Sequence, residues 1–352
     1  MPSPTVQQPQ ADEQTGPLEL DDWCRCALDF EREIAKAVIG QNRAIRLLTI
    51  AVFARGHVLL EGDVGVGKTT LLRAVARALG GAYERIQGTI DRMPSQIIYN
   101  TYHNQEGKPR VAPGPVLRHG SDLSVFFFNE INRARPQVHS LLLRLMAERS
   151  VTAFNQEHQF PHLLVFADRN RIEREETFEL PAAARDRFLM EVEISAPSDE
   201  KSRRELLFAT RFHDVDKLIA SLKDGVLDYR RLNTLANVIQ NTIIVSPALE
   251  RYVLDLWKAI REPASAGIQI ANVDVNRMIA GGSSPRGMSY LIRAARVAAW
   301  LSGRDMVVPE DIRDIFHECM AHRIFLTPVY ELRREEIVRS LIADVFAKVP
   351  AP

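Results

Sequence analysis

The chain has 352 residues, and because one domain usually holds about 100–200 residues, this length predicts about two domains. Hydrophobic residues make up 46% and charged residues 26%, which supplies a sizeable core and excludes a disulfide-stapled mini-fold. Lysine plus arginine and aspartate plus glutamate both number 45, so the net charge is zero and a strongly basic nucleic-acid binder is disfavoured. The three cysteines, Cys24, Cys26 and Cys319, lack zinc spacing and fit a reducing cytoplasm.

The ends and the apolar runs of the chain indicate no export and no membrane span. Residues 1–17 are rich in proline and glutamine and lack the basic and apolar regions of a secretion signal. The densest apolar run, residues 125–128, is far shorter than the ~20 residues of a membrane helix. We therefore predict a disordered tail at residues 1–17 and a cytoplasmic protein.

Helical periodicity begins at about residue 18, stops at Gly40 and resumes through Ile45 to Phe53. Five short apolar runs come next, with helical stretches between most of them, at residues 58–60, 82–87, 125–128, 163–167 and 188–194. This alternation is typical of a parallel α/β sheet. Two polar insertions, residues 99–111 and 151–160, each predict a β-hairpin.

The second half of the chain is almost entirely helical in its periodicity. A breaker cluster at residues 195–198 follows the fifth apolar run. Beyond it, apolar stripes such as Ile312, Ile315 and Phe316 recur at helical spacing, and Pro309 suits a first helical turn. We predict an α/β domain at residues 18–196 and an all-helical domain at residues 197–352.

A complete phosphate-binding-loop motif, G-x-x-x-x-G-K-[ST], spans residues 62–69, between an apolar run and a helical pattern. Its glycines let backbone N–H groups turn toward phosphate oxygens, Lys68 would reach the β- and γ-phosphates, and the Thr69 hydroxyl would ligate Mg²⁺. An ordinary glycine turn is the alternative, and the strand–loop–helix context argues against it. The motif predicts ATP and Mg²⁺ as cofactors, with the nucleotide bound by Gly62, Asp63, Val64, Gly65, Val66, Gly67, Lys68, Thr69 and Thr70.

Polar residues end the third and fourth apolar runs. Asn129 and Glu130 end the third run, where P-loop enzymes place metal-ordering and water-activating groups. Glu130 is suited to polarise the attacking water, and Asn129, with Thr69, is a predicted metal ligand that lacks the charge of the usual acid. Asn170, beyond the fourth run, is placed to contact the γ-phosphate or the water. The alternatives are solvated residues at a strand end and ordinary turn chemistry.

Two arginines are candidate catalytic residues. Arg187 precedes the fifth apolar run and is placed to act as an arginine finger on a neighbouring subunit's nucleotide. A surface pair with Asp186 is the alternative for this residue. Arg286 opens a helix of the second domain, and it either folds back onto the phosphates or is a solvated first-turn residue.

In order and spacing, these elements resemble the MoxR family of AAA+ ATPases. The resemblance runs from about residue 38 to residue 321. The sequence after the third strand, Glu130-Ile131-Asn132-Arg133-Ala134, is much more specific than a generic ATPase pattern. Within the family, the chain is most similar to members from methylotrophs, which are associated with activation of periplasmic methanol dehydrogenase. The stretches that carry the resemblance are Ile39-Gly40-Gln41, the phosphate-binding loop, Asn129-Glu130-Ile131-Asn132-Arg133-Ala134, Asn170, Asp186-Arg187-Phe188 and Ser284-Pro285-Arg286.

The resemblance implies a P-loop AAA+ core with sheet order 5-1-4-3-2, a helical lid and rings that are usually hexameric. It implies that ATP is used in a chaperone-like way to remodel partner proteins or load metal into them, often with a von Willebrand factor A domain partner. The two hairpins would match insertions of this clade. The implied roles are Walker A for Lys68 and Thr69, Walker B catalytic acid for Glu130, sensor 1 for Asn170, arginine finger for Arg187 and sensor 2 for Arg286.

Two residues depart from the family's pattern. Asn129 replaces the Walker B aspartate, and Ala182 stands where glutamate is common. The lost charge at position 129 predicts slow turnover with a raised Mg²⁺ requirement, unless a nearby acid, such as Asp63 or Asp168, supplies it. No aromatic pore loop is evident, so substrate threading is not expected.

The predicted function is a cytoplasmic ring ATPase that drives maturation of a methanol dehydrogenase system. One alternative is a slow-turnover, ATP-binding regulatory switch, which Asn129 favours. A second is a P-loop small-molecule kinase, which Arg187 and Arg286 argue against. A third is DNA remodelling, which the zero net charge disfavours.

Overall fold

The computed structural model describes residues 20–170 and 178–352. The predicted disordered tail, residues 1–17, lies outside the described residues. Over the described ranges, no helix combines the length and the apolar character that crossing a bilayer requires.

The strands in the first half of the chain build one central sheet and two hairpins. Five of them are parallel and lie in the order β9-β1-β8-β5-β2, given the following bounds. In chain order they are β1 (His57–Glu61), β2 (Ala82–Gln87), β3 (Tyr99–His103), β4 (Pro109–Pro113), β5 (Leu123–Asn129), β6 (Ser150–Ala153), β7 (Gln156–Gln159), β8 (Leu164–Arg169) and β9 (Phe188–Glu193).

The central sheet confirms the predicted fold class. Its five strands coincide with the five apolar runs, and their arrangement is the expected order 5-1-4-3-2. The strand β5 is buried at every position. Helices cover both faces of a parallel sheet, and this explains why the strands read as continuous apolar runs and not as alternating ones.

Helices pack on the two faces of the sheet. Alternate residues such as Leu60 and Phe127 join the cluster of the first three helices, whereas Phe126 and Phe128 face the fifth helix. The helices of this half are α1 (Leu20–Ala35), α2 (Asn42–Phe53), α3 (Lys68–Leu79), α4 (Pro94–Ile98), α5 (Pro136–Glu148) and α6 (Ala182–Arg185).

Both predicted hairpins are confirmed. The strands β3 and β4 pair antiparallel from Tyr99 opposite Pro113, and β6 pairs with β7. Phe154 and Asn155 form the two-residue turn of the second hairpin, with φ angles of 53° and 60°. Phe154 is 58% exposed, so the tip of this hairpin carries an exposed aromatic residue. The sequence analysis identified no aromatic pore loop here.

The second half is a helical bundle with one small β element. Two very short strands, β10 (Ile279–Gly281) and β11 (Phe325–Leu326), pair antiparallel; two or three residues are too few to produce a periodic pattern, so the sequence indicated only helices. The helices are α7 (Glu200–Phe208), α8 (Val215–Ala220), α9 (Leu232–Thr242), α10 (Pro247–Arg261), α11 (Pro285–Leu301), α12 (Pro309–Met320), α13 (Pro328–Glu331) and α14 (Arg334–Lys348).

Two buried side chains join the helical bundle to the edge strand of the sheet. His322 and Arg323 follow α12, and each is only 1% exposed. The His322 Nε2 atom lies 3.2 Å from the carbonyl oxygen of Phe188, the first residue of β9. Arg323 donates to the Phe188 carbonyl and to the Asp186 carboxylate. The bundle therefore docks at the amino-terminal end of β9.

Candidate functional site

The phosphate-binding loop connects β1 to α3 and has the backbone that its glycines allow. Gly65 and Gly67 have φ angles of +82° and +90°, and nothing lies within 4 Å of where their Cβ atoms would stand. At Gly62, a Cβ would lie 2.2 Å from the carbonyl oxygen of Ile194. The loop therefore needs glycine at Gly65 and Gly67 for their positive φ angles and at Gly62 for close packing, which fits the backbone of a phosphate-binding loop.

Lys68, the first residue of α3, is held across the loop. Its side chain is buried, and its Nζ atom donates to the carbonyl oxygen of Gly62 at 2.5 Å and to Asn170 Oδ1 at 2.6 Å. The Asp63 carbonyl oxygen lies 3.3 Å away and Asp168 Oδ2 lies 3.8 Å away. Protein oxygen atoms thus hold the ammonium group beside the glycines.

Glu130 follows the end of β5 in a left-handed conformation, with φ of 53°. Its backbone N–H donates to Asp168 Oδ1 at 2.6 Å, and its carboxylate accepts from Gln87 Nε2 at 2.7 Å. Asn170 Nδ2 lies 3.5 Å from Glu130 Oε1. The structure therefore brings together Lys68, Glu130 and Asn170, three of the five predicted catalytic residues.

Two residues of the β2 end support Glu130, and sequence reasoning missed both. Gly88 donates its N–H to the Asn129 carbonyl at 2.7 Å, and a Cβ on Gly88 would lie 2.1 Å from the Glu130 carbonyl oxygen. Gln87 holds the Glu130 carboxylate and also accepts from the Asn129 amide. Only their position at the carboxyl end of an apolar run could have suggested a role.

The ionisation of Asp168 is governed mainly by burial. Asp168 belongs to β8, which lies between β1 and β5, and it is only 2% exposed; this burial raises the pKa of the carboxyl above its usual range. The Glu130 N–H and the Lys68 ammonium act in the opposite direction and favour the carboxylate. The fold therefore keeps an acid directly behind the phosphate-binding loop at a desolvation cost.

Arg187 and Arg286 lie far from this loop within the same chain. Arg187 precedes β9, whose first residue pairs with His57 at the start of β1, whereas the loop follows the end of β1. The five residues of β1, at ~3.3 Å each, therefore separate this end of the sheet from the loop by about 17 Å. Arg286 is paired with Asp186 at that same distant end, at 3.0 Å.

The contacts of Asp186 answer the two alternatives left open for these arginines. Asp186 accepts from Ser284 Oγ at 2.7 Å, from Arg286 and from Arg323, so the predicted surface pair between Asp186 and Arg187 is not what the structure contains. Arg187 is half-buried and donates to the Ala183 carbonyl at 2.7 Å. Arg286 lies in the first turn of α11 with its side chain 47% exposed, and it pairs with Asp186, not with the phosphate-binding loop of its own chain.

Arg185 contacts residues of its own chain. Its Nε donates to the Leu180 carbonyl at 3.2 Å, and its guanidinium lies 4.9 Å from the centre of the Phe325 ring. Burial lowers the pKa of this guanidinium below its usual value. Both arginines are thus half-buried and donate to carbonyl oxygens of the same chain, Arg185 to Leu180 and Arg187 to Ala183.

The chemistry of the loop fits a nucleotide and its metal. Thr69 and Thr70 lie in the first turn of α3, and hydroxyl, amide and carboxylate oxygens are the ligands that Mg²⁺ prefers. Among the described residues, no group of three His, Cys, Asp or Glu side chains could hold a metal alone. Protein sites for Mg²⁺ commonly use one or two carboxylates plus substrate phosphates, so the donor set is consistent with a shared ion.

The sheet order, the phosphate-binding loop and the helical bundle together define an AAA-type ATPase with its lid. Profiles of the ATPase family associated with various cellular activities (AAA) and of the AAA lid domain match residues 57–190 and 272–341, respectively. A crystal structure of a candidate ATPase from Cytophaga hutchinsonii superposes with a TM-score of 0.79, at 30% identity over 96% of this chain and 100% of that chain.

Curated relatives narrow the class to one family. Protein MoxR of Methylorubrum extorquens is 65% identical over 96% of this chain and 98% of its own length. Protein MoxR of Paracoccus denitrificans is 58% identical over 95% and 98%. Chaperone MoxR1 of Mycobacterium tuberculosis is 34% identical over 89% and 78%. The chain belongs to the MoxR family of AAA+ ATPases, as its sequence predicted, and it is an ATPase.

Proposed function

We propose that the protein hydrolyses ATP in a homo-oligomeric ring, with each active site completed by two subunits. One observation carries this proposal: Lys68, Glu130 and Asn170 converge on the phosphate-binding loop, whereas Arg187 and Arg286 share the opposite end of the sheet. A rotation that repeats around a closed ring places one end of each subunit against the other end of the next. A hexamer is the ring size that the family resemblance implies.

Within one subunit, the residues of the loop divide the work of hydrolysis. Lys68 binds the β- and γ-phosphates, the Glu130 carboxylate orients and polarises the attacking water, and Asn170 positions the γ-phosphate. Thr69 and Asn129 would hold Mg²⁺, which would neutralise phosphate charge when bound. From the neighbouring subunit, Arg187 acts as the arginine finger on the γ-phosphate, and Arg286 lies on the same approaching surface.

The work done with this energy is chaperone-like activation of a protein client in the cytoplasm. The relatives named Protein MoxR and Chaperone MoxR1 support this role. Methanol dehydrogenase maturation, by remodelling or by metal loading, is the client process that the resemblance to methylotroph proteins favours. A von Willebrand factor A domain protein is the proposed partner.

A second candidate function, a regulated ATP-holding switch, is favoured by the contact between Gln87 and Glu130. The Gln87 amide donates to the carboxylate that would polarise water, at 2.7 Å. A carboxylate engaged in this way is a weaker base until the contact is released. The switch and the chaperone share one site, and they differ in whether a bound client accelerates turnover.

The proposal is tested in a methylotrophic host that lacks this gene. We expect the parent gene to restore active methanol dehydrogenase and Glu130→Gln to leave inactive enzyme, with its metal content measured after purification. The matched control is Glu250→Gln, which changes an exposed glutamate of α10 and should restore activity. Full dehydrogenase activity in the deletion strain would refute the client assignment.

A further inference from the structure

Asn129 and Asp168 lie side by side on adjacent strands. The register of β5 and β8 pairs Phe128 with Ala167, so the next residues, Asn129 and Asp168, are neighbours across the ladder. In-register residues of parallel strands point to the same face of a sheet. The Walker B position without a charge therefore has an acid beside it, about 4.8 Å away along the hydrogen-bonding direction.

Asn129 and Asp168 share the face of the sheet on which α3 packs. Phe127, two residues before Asn129, packs in the same cluster as Leu71 and Val75 of α3. Leu60, the register partner of Asp168 on β1, belongs to that cluster as well. Because β8 lies between β5 and β1, Asp168 is one strand closer to the loop than Asn129 is.

The contacts of Asp168 place its carboxylate at the centre of the site. One oxygen accepts the Glu130 N–H at 2.6 Å, and the other lies 3.8 Å from the Lys68 ammonium. Asn129 instead directs its amide N–H₂ to the Gln87 side chain on β2, away from the loop. Asp63, the other acid near the motif, is exposed, and only its backbone carbonyl contacts Lys68.

We propose that Asp168 supplies the negative charge that Asn129 lacks and is the acid facing the Mg²⁺ that accompanies ATP. The inference rests on the proposed ATPase site and changes which residue carries the acidic group beside Mg²⁺: it is Asp168 on β8, not the residue at position 129 on the adjacent strand β5. Asn129 then needs to offer only a neutral oxygen. The slow, metal-limited switch that Asn129 suggested from the sequence alone is not required.

The test measures how strongly Mg²⁺ enhances nucleotide binding, without relying on turnover. A fluorescent ATP analogue is titrated into the parent and each variant, once with excess EDTA and once over a Mg²⁺ series. Asp168→Asn keeps an oxygen that can accept the Glu130 N–H and removes only the charge. Because charge-assisted hydrogen bonds are about twice as strong as neutral ones, we expect the Mg²⁺ enhancement to fall about tenfold.

A variant that places the negative charge on β5 instead of β8 provides a second, independent test. The double variant Asn129→Asp with Asp168→Asn should recover most of the lost enhancement, whereas Asn129→Asp alone should not exceed the parent. Asp255→Asn, which removes an exposed charge on α10, is the matched control and should behave as the parent does. Thermal unfolding of every variant verifies that it is folded.

Three results would overturn the inference. The first is that Asp168→Asn weakens binding by the same factor with EDTA and with Mg²⁺, which would assign Asp168 to holding Lys68. The second is loss of the enhancement in Asp63→Asn, and the third is no recovery in a folded double variant. A parent protein that binds no nucleotide under any condition would instead refute the proposed ATPase site.

Discussion

Replacement of Asp186 by alanine should loosen the attachment of the lid to the sheet. This carboxylate is 16% exposed and accepts from the guanidinium of Arg323, whose own side chain is 1% exposed. The removal of one partner from a buried ion pair typically costs about 3–5 kcal/mol, because the other charge stays desolvated. We therefore expect the free energy of unfolding to fall by about 3–5 kcal/mol.

Arg286→Ala is the matched control for that experiment. It removes the other guanidinium bound to Asp186, but this side chain is 47% exposed, and pairs of that kind contribute at most ~1 kcal/mol. Urea unfolding, followed by circular dichroism, compares the two variants with the parent. Asp186→Ala with a loss below 1 kcal/mol would contradict the view that this carboxylate fixes the lid.

Three further predictions concern the buried His57 and the carboxyl ends of β2 and β5. Burial lowers the pKa of His57 to about 3, so the free energy of unfolding should fall as pH drops below 6.5, by about 2 kcal/mol at pH 5. In urea titrations at pH 7.5 and 5, His57→Asn should lack this pH-dependent loss. Gly88→Ala should abolish ATP turnover but retain ATP binding, because its Cβ would meet the Glu130 carbonyl at 2.1 Å; parent-like turnover would contradict this. Glu130→Gln should bind ATP normally and lose roughly 10²–10⁴-fold in turnover, measured by phosphate release; a smaller loss would mean that another residue activates the water.

The sequence predicted the parts of the site that are contiguous along the chain. The phosphate-binding loop, the strand that precedes Glu130 and the five-strand order all came from local patterns or from the resemblance they support. Such features are predictable because one loop and its flanking elements contain the whole signal. Asn170 lies within hydrogen-bond distance of Lys68 because parallel strands end at the same edge of a sheet, and its predicted contact with the γ-phosphate or the water stays a prediction.

The rest depends on contacts that no local pattern contains. The neighbour relation of Asn129 and Asp168 follows from the register of two strands that are about 40 residues apart in the chain. Arg286 was expected either to fold onto the phosphates or to be a solvated first-turn residue; it is 47% exposed in the first turn, and its pairing with Asp186 was not predicted. That pairing follows from how the lid docks on β9, which is set by the buried Arg323 and has no sequence motif.

The most direct test of the shared active site is hydrolysis by mixed rings of two inactive variants. Lys68→Ala removes the phosphate-binding ammonium, and Arg187→Ala removes the proposed finger from the opposite end of the sheet. Each variant alone should be inactive, whereas interfaces in a mixture that combine an intact loop with an intact Arg187 should recover ATPase activity. Mixed assembly is verified with differently tagged subunits. No recovery in verified mixed rings would contradict a site completed by two subunits.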